Sequence, residues 1–322
     1  MGVSGDTAYD ATFGMRAALA DAVREPLPPP GGGQTPLRFS KLAELAQCDL
    51  ELARLAEAHH DALAIAAELG AELASALYGV WAASGPDPLT ATATKAGFDL
   101  LGTVPWCTGV NIVDRALVAA VSPEQAGRRV GLLFDLAVTD GTIVDDNAWK
   151  ATAFARTGTG TVRFRLAVPA ASLVGQANEY SQRAGFWHGA IGVSACWAGG
   201  LRGLLGRYQR QWKRTDPHSL AHLGSAVAWV DASAAVLERA ARDIDTDPND
   251  ELQAEARARS VRHVVERICA TAMDELAVGA GPEPLAFDSS IIGTTQQLQL
   301  YIRQCHGERD LEPLGRQTLL RI

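Results

Sequence analysis

The apolar positions of the chain fall into three regimes. Between residues 40 and 76, Leu42, Leu45, Ala46, Leu52, Leu55, Leu63 and Leu69 recur at spacings of three, four and seven. That periodicity places them on one face of amphipathic helices. A shorter helix is expected over residues 9–23. The intervening PLPPPGGG stretch at 26–33 reads as a linker, because serial prolines and glycines suit neither helix nor strand. From residue 77 to about 175 the pattern shortens into runs such as FDLLGTVPW, RALVAAVS, RVGLLFDLA and TVRFRLAVP, separated by turn residues. In the last run Val162, Phe164, Leu166 and Val168 alternate with Arg163 and Arg165, the period of a half-buried strand. Beyond residue 179 the helical period returns over 185–212, 220–244, 251–278 and 294–309, with proline- or glycine-bearing breaks between. The expected fold class is therefore α+β: a short N-terminal helical domain (1–76), a middle antiparallel β-barrel domain (77–178) and a C-terminal four-helix bundle (179–322).

Composition narrows the function classes. The 322 residues suffice for about two domains. With 29 basic and 37 acidic side chains the net charge is −8, so no global attraction to nucleic acid or an anionic membrane is expected. No apolar run of about 18 residues lacks a charge or a glycine break. Residues 1–10 carry two aspartates and no basic residue, unlike a signal peptide. Five cysteines without a CxxC pair read as reduced thiols of a cytoplasmic protein. Cys305-His306 and Cys269 with His263 lack metal-ligand spacing, so no metal site is expected. The sequence carries no GxSxG, P-loop or dinucleotide fingerprint. His59-His60 reads as the exposed side of a helix, and Trp187, Trp197, Trp212 and Trp229 read as bundle core.

Two segments carry a specific resemblance. FDLLGTVPWCTGVNIVDRALVAA (98–120) and WKATAFARTGTGTVRFRLAVPAASLVG (149–175) are similar to the middle domain of the acyl-CoA dehydrogenase superfamily. There a strand enters an aromatic-x-(Thr/Ser) turn and a later strand pair closes the domain. The resemblance runs from about residue 77 onward, and the helical portion before it looks short for the family. It implies FAD held between the β domain and the bundle, an acyl thioester substrate, an electron acceptor such as an electron-transfer flavoprotein, and a homodimer or homotetramer. The turn's aromatic and hydroxyl residues are Trp106 and Thr108. An indole offers the flavin a flat apolar face and a threonine hydroxyl a hydrogen bond, although Trp106 as a mere cap on the barrel is the alternative. Where the family has a Thr-Glu-Pro-x-x-Gly-Ser loop this chain has VWAASG (80–85), with Ser84 as the remaining hydroxyl. Arg214 stands where the family places an arginine on the FAD pyrophosphate, and equally suits the end of a helix.

A dehydrogenase of this family removes the substrate α-proton with a carboxylate. The two positions that hold that base in the family carry Ile292 and Gln182 here. Three readings follow. The base comes from elsewhere, with Glu179, Glu308 and Asp310 the candidates. Or the chain belongs to the flavin monooxygenase branch, where reduced flavin and O2 act and His306 matches a histidine of the last helix. Or it is a non-catalytic binding or assembly member of a heteromeric complex. Glu308 to Asp310 also reads simply as a solvated charge run.

Overall fold

The structure, a computed structural model, describes residues 5–122, 130–144 and 149–320. By compactness the chain divides into two units, one comprising residues 1–26 and 55–186, the other 27–54 and 187–322.

The first unit opens with helix α1 (Gly5–Ala22). After α2 (Thr35–Cys48), which belongs to the second unit, comes α3 (Leu50–Glu68), most of which lies in the first. Strands β1 (Tyr78–Trp81), β2 (Thr90–Ala93), β3 (Gly97–Cys107), β4 (Arg115–Val121), β5 (Gly131–Ala137), β6 (Thr142–Ile143) and β7 (Gly160–Pro169) follow. They form one sheet in the order β1-β4-β2-β3-β7-β6, with β5 also paired to β4. The alternation in β7 is as expected, with Val162, Phe164 and Val168 buried and both arginines exposed. The closed antiparallel barrel is not what forms. β1 runs parallel to β4, β2 meets β4 in parallel at Thr90 and Val121, and the strand order ends in β1 and β6, with β5 pairing β4 off that path. Within the described residues the sheet is thus mixed and open, a half-barrel. Alternation reports which face a side chain takes but not the direction of the neighbouring strand, which is why the parallel pairing was not legible.

One face of this sheet packs on α3. Ala62 and Ile65 meet Tyr78, Leu117, Leu133 and Val174 in a buried cluster. Arg16 of α1 reaches the same end of the sheet, donating to the Ile112 carbonyl and pairing with Asp114 at 2.7 Å. Asp114 also accepts the Leu77 amide at 2.9 Å, so one carboxylate holds both a helix and the entry to β1. The unit ends with the short α4 (Glu179–Gln182).

The second unit is helical: α5 (Ala184–Gln211), which begins at the boundary between the units, then α6 (Pro217–Thr246), α7 (Glu251–Ala280), α8 (Glu283–Phe287), α9 (Ser289–Tyr301) and α10 (Glu308–Leu320), together with α2. Their starts are capped in the expected way. Asp216, Asp250 and Asp288 each accept a backbone amide of the first turn of α6, α7 and α9. α2 lies close along α5, because Gly199 and Gly203 leave no side chain between them: a Cβ on either would lie 2.2 Å from the Ala43 carbonyl or 2.4 Å from that of Gln47. The PLPPPGGG loop is a clasp rather than a free linker. Gly33, Thr35 and the Thr35 hydroxyl all donate to Asp245 at the end of α6, at 3.1, 3.0 and 2.5 Å.

Two expectations for this region change. The single last helix over 294–309 is two helices, α9 and α10, parted at Gly307, whose φ of 56° no helix accommodates. Of the four bundle tryptophans Trp197 is fully buried, whereas Trp187 and Trp212 are half-buried and Trp229 is exposed. Among the described residues one helix, α6, is long and apolar enough to cross a membrane, and only 22% of its apolar window is buried.

Candidate functional site

The end of β3 departs from regular strand. Its register with β7 holds from Gly97 to Val104 and shifts before Cys107. In that bulge Trp106 takes a φ of 59°. A bulky residue in the left-handed region stores about 1–3 kcal/mol of strain, and such strain gathers at functional positions. The bulge turns the indole outward, leaving Trp106 62% exposed. Its ring meets Trp149 edge to face at 5.8 Å, and the Trp149 Nε1–H donates to the Ala153 carbonyl at 2.9 Å. Phe154, just ahead of β7, has the same φ of 59°. Two strained aromatic residues thus flank one corner of the sheet.

Backbone bonds lock the corner together. Gly109 donates to the Thr157 carbonyl (2.9 Å) and Val110 to that of Gly158 (3.0 Å). Along it runs a row of hydroxyls. The Thr157 hydroxyl donates to the Phe154 carbonyl at 2.7 Å, Thr157 and Thr159 lie 2.9 Å apart, and Thr159 lies 3.3 Å from Thr108 Oγ1. The Thr108 carbonyl takes the Trp81 Nε1–H at 2.9 Å, pinning the turn to β1. Cys107 between them is not reactive: burial pushes its thiol up to about 12. The loop of Ser84 runs past the same corner. A Cβ on Gly85 would lie 3.4 Å from the Pro105 ring, and Thr103 donates twice to the Asp87 carbonyl. Ser84 itself is exposed. Trp106, Thr108 and the Ser84 loop therefore come together in the first unit. Trp149, Phe154 and Thr159, which lie within the 149–175 segment, join them there through the pairing of β3 with β7.

The other candidates lie apart from that row or in the second unit. Glu179 closes its own turn, accepting the Gln176 amide at 2.6 Å, and Gln182 is exposed. Arg214, between α5 and α6, stands 3.9 Å from Asp216 and reaches the Gly279 carbonyl at 3.4 Å. His306 is exposed at the break before α10. Asp310 accepts its amide at 2.9 Å and lies 3.6 Å from Arg259, while Glu308 is exposed. Ile292 sits in the first turn of α9, donating to the Asp288 carbonyl.

The structure also moves two histidines from surface to interior. His59 and His60 are 6% and 3% exposed, with their rings edge to face at 5.6 Å. His59 Nδ1 accepts the Tyr78 amide at 3.1 Å, the first strand amide of β1. Burial pulls the His59 imidazole below its usual range, so it stays neutral. Helical periodicity had put leucines on one face and left these residues on the other. It does not show that β1 and residues 179–186 cover the rest of α3.

This is the acyl-CoA dehydrogenase-like fold. The chain is similar to TdsC from Paenibacillus sp. A11-2 in complex with FMN and indole (16% identity, TM-score 0.77, 98% of this chain and 97% of that one). It is similar to the HsaA monooxygenase from M. tuberculosis (15%, 0.73, 97% and 97%) and to XiaF from Streptomyces sp. in complex with FADH2 and glycerol (17%, 0.72, 96% and 94%). No family model and no curated protein matches the sequence.

Proposed function

We propose that the protein is a flavin-dependent monooxygenase, in which reduced flavin and O2 act on an aromatic or polycyclic substrate. The observation that carries this reading is the strained corner. Trp106 is held in an unfavourable backbone conformation with its indole largely exposed, two residues from the Thr108 hydroxyl. Such a pair fits an isoalloxazine ring, by stacking and by a hydrogen bond to its polar edge. Trp106 and Thr108 would hold the ring, with Trp149 supporting the indole from its edge and Thr159 orienting Thr108. A bound flavin supplies the electrons that activate O2, and the protein's part is to bind, orient and exclude water.

The likeness in fold to TdsC, crystallised as a dibenzothiophene monooxygenase, supports oxygenation over dehydrogenation. So does the state of the carboxylates. Ile292 and Gln182 stand at the base positions, Glu308 is exposed, and Asp310 and Glu179 already accept backbone amides. A proton abstractor needs a desolvated carboxylate with a free oxygen.

The test is reconstitution. The purified chain is mixed with FMN or FAD, and binding is followed by flavin fluorescence. A flavin reductase and NADH then supply reduced flavin while O2 uptake is recorded with indole or dibenzothiophene present. Substrate-dependent uptake with an oxygenated product supports the reading, whereas failure to bind either flavin overturns it. The protein is further proposed to self-associate through α6, whose exposed Leu220 and Trp229 and small Gly224 leave an uncovered apolar face.

A further inference from the structure

The open face of the sheet carries charge that nothing in the chain answers. Directly opposed residues of an antiparallel pair point to the same side. Between β3 and β7 the inward set is Leu100, Val104 and Cys107, opposite Leu166, Val162 and Gly160. The outward set has Leu101 opposite Arg165 and Thr103 opposite Arg163. From Val104 to Cys107 the register advances three residues on β3 but only two on β7, so Pro105 and Trp106 both stand against Thr161. Trp106 and Leu101 are both exposed, and the indole opens onto the face that carries the two arginines.

Arginines of this chain usually have an acidic partner. Acidic side chains outnumber basic ones 37 to 29, and Arg115 of β4, in the same sheet, pairs with Asp135 at 2.8 Å. Arg163 and Arg165 are exposed, and among the described residues neither guanidinium makes a hydrogen bond or an ion pair. They stand about 7 Å apart along β7. Hydroxyls adjoin them, Thr161 on the same strand and Thr142 directly opposite Arg163 on β6. A guanidinium with flanking hydroxyls is a donor set for phosphate, whose oxygens match the planar fork of N–H groups.

Spacing decides which phosphate. Arg163 lies two residues beyond Thr161, the residue that faces Trp106, hence about 7 Å along the strand from the indole, and Arg165 about 13 Å. The ribityl chain that joins the ring of a flavin to its phosphate covers the shorter span. From this we infer that Arg163 binds the flavin phosphate, with Arg165 reinforcing its charge, so that the site takes a phosphorylated flavin in preference to riboflavin. The inference rests on the flavin reading for the ring at Trp106. It moves the phosphate away from Arg214, which stands beside Asp216 in the second unit.

The test is fluorescence titration of the full chain with FMN and with riboflavin, which share the ring and differ by the phosphate. The wild type is expected to bind FMN at least about tenfold more tightly, the worth of one charge-assisted hydrogen bond. Against a net charge of −8 such a preference cannot come from the overall field, and it should narrow as sodium chloride is added. Arg163→Gln should bring FMN down to the affinity of riboflavin, with riboflavin binding and the melting temperature unchanged. Arg163→Lys should keep part of the preference, Arg165→Gln should reduce it by a smaller factor, and Arg214→Gln should leave it intact. Equal affinities in the wild type, a preference that survives Arg163→Gln, or one that disappears in Arg214→Gln overturns the phosphate assignment and leaves the ring site standing. Binding of neither flavin overturns both.

Discussion

At the scale of single residues the corner around Trp106 makes an unusual demand. At a positive φ an L-residue suffers a Cβ clash of about 1–2 kcal/mol that glycine escapes. Trp106→Gly should therefore be more stable than Trp106→Ala by about that much, the reverse of the ordinary glycine penalty; urea denaturation of the two variants reads the difference. Both should lose flavin affinity with the indole face. His59 supplies a second prediction, in pH. Its folded-state pKa is depressed below the unfolded value near 6.5. Below that value the unfolded chain binds the extra proton first, so the stabilisation present above about pH 6.5 is lost as pH falls through the folded pKa. Urea midpoints measured between pH 7.5 and 5 should drop more steeply for the wild type than for His59→Asn. These two residues also mark what the sequence could say. Trp106 and Thr108 stand in a motif whose spacing is visible in one dimension. His59 was misplaced because its burial depends on what lies across from it.

Among elements, the helices were the more legible. Their apolar period and their aspartate caps are local, and α5, α6 and α7 lie where the pattern put them. Asp288 shows what a cap contributes. Hydrogen bonds from the Ser290 side chain and the Ile291 amide hold its carboxyl down at about 2. Its substitution by alanine should lower stability at pH 7 by about 1 kcal/mol, read from the melting temperature. The sign follows from the depressed pKa: the contribution is full above about pH 4 and fades toward pH 2, where wild type and variant should converge. The approach of α2 to α5 is the other sensitive element. Gly199→Val would drive side-chain atoms into the Ala43 backbone, which cannot yield as a flexible side chain does. It should destabilise the bundle by about 1–3 kcal/mol in chemical denaturation, while Gly224→Ala on the open face of α6 should be neutral or slightly stabilising. The strands were legible as strands but not as a sheet, since the parallel pairs β1–β4 and β2–β4 join segments whose periodicity carries no direction.

For the whole molecule, the uncovered apolar face of α6 leads to a prediction of its own. Leu220, Gly224, Ala228 and Trp229 are exposed together on that face, and a contiguous exposed apolar patch marks an interaction surface. Sedimentation should show a dimer or larger species, and Ala228→Glu on that face should shift it toward the single chain. Flotation of the wild type with phosphatidylcholine vesicles, in place of self-association, would show that lipid covers the face instead.

The clasp at Thr35 has a temporal side. Its partner Asp245 lies 210 residues further along, and the second unit is assembled from residues on both sides of nearly the whole first unit. At about 5–20 residues per second a ribosome delivers Asp245 on the order of 10–40 s after Thr35. Residues 55–186, in contrast, emerge as one run and hold every strand of the sheet. The half-barrel can close while α2 still waits for the helices it will pack on. During that interval the exposed apolar side of α2 is the segment a nascent-chain chaperone would meet.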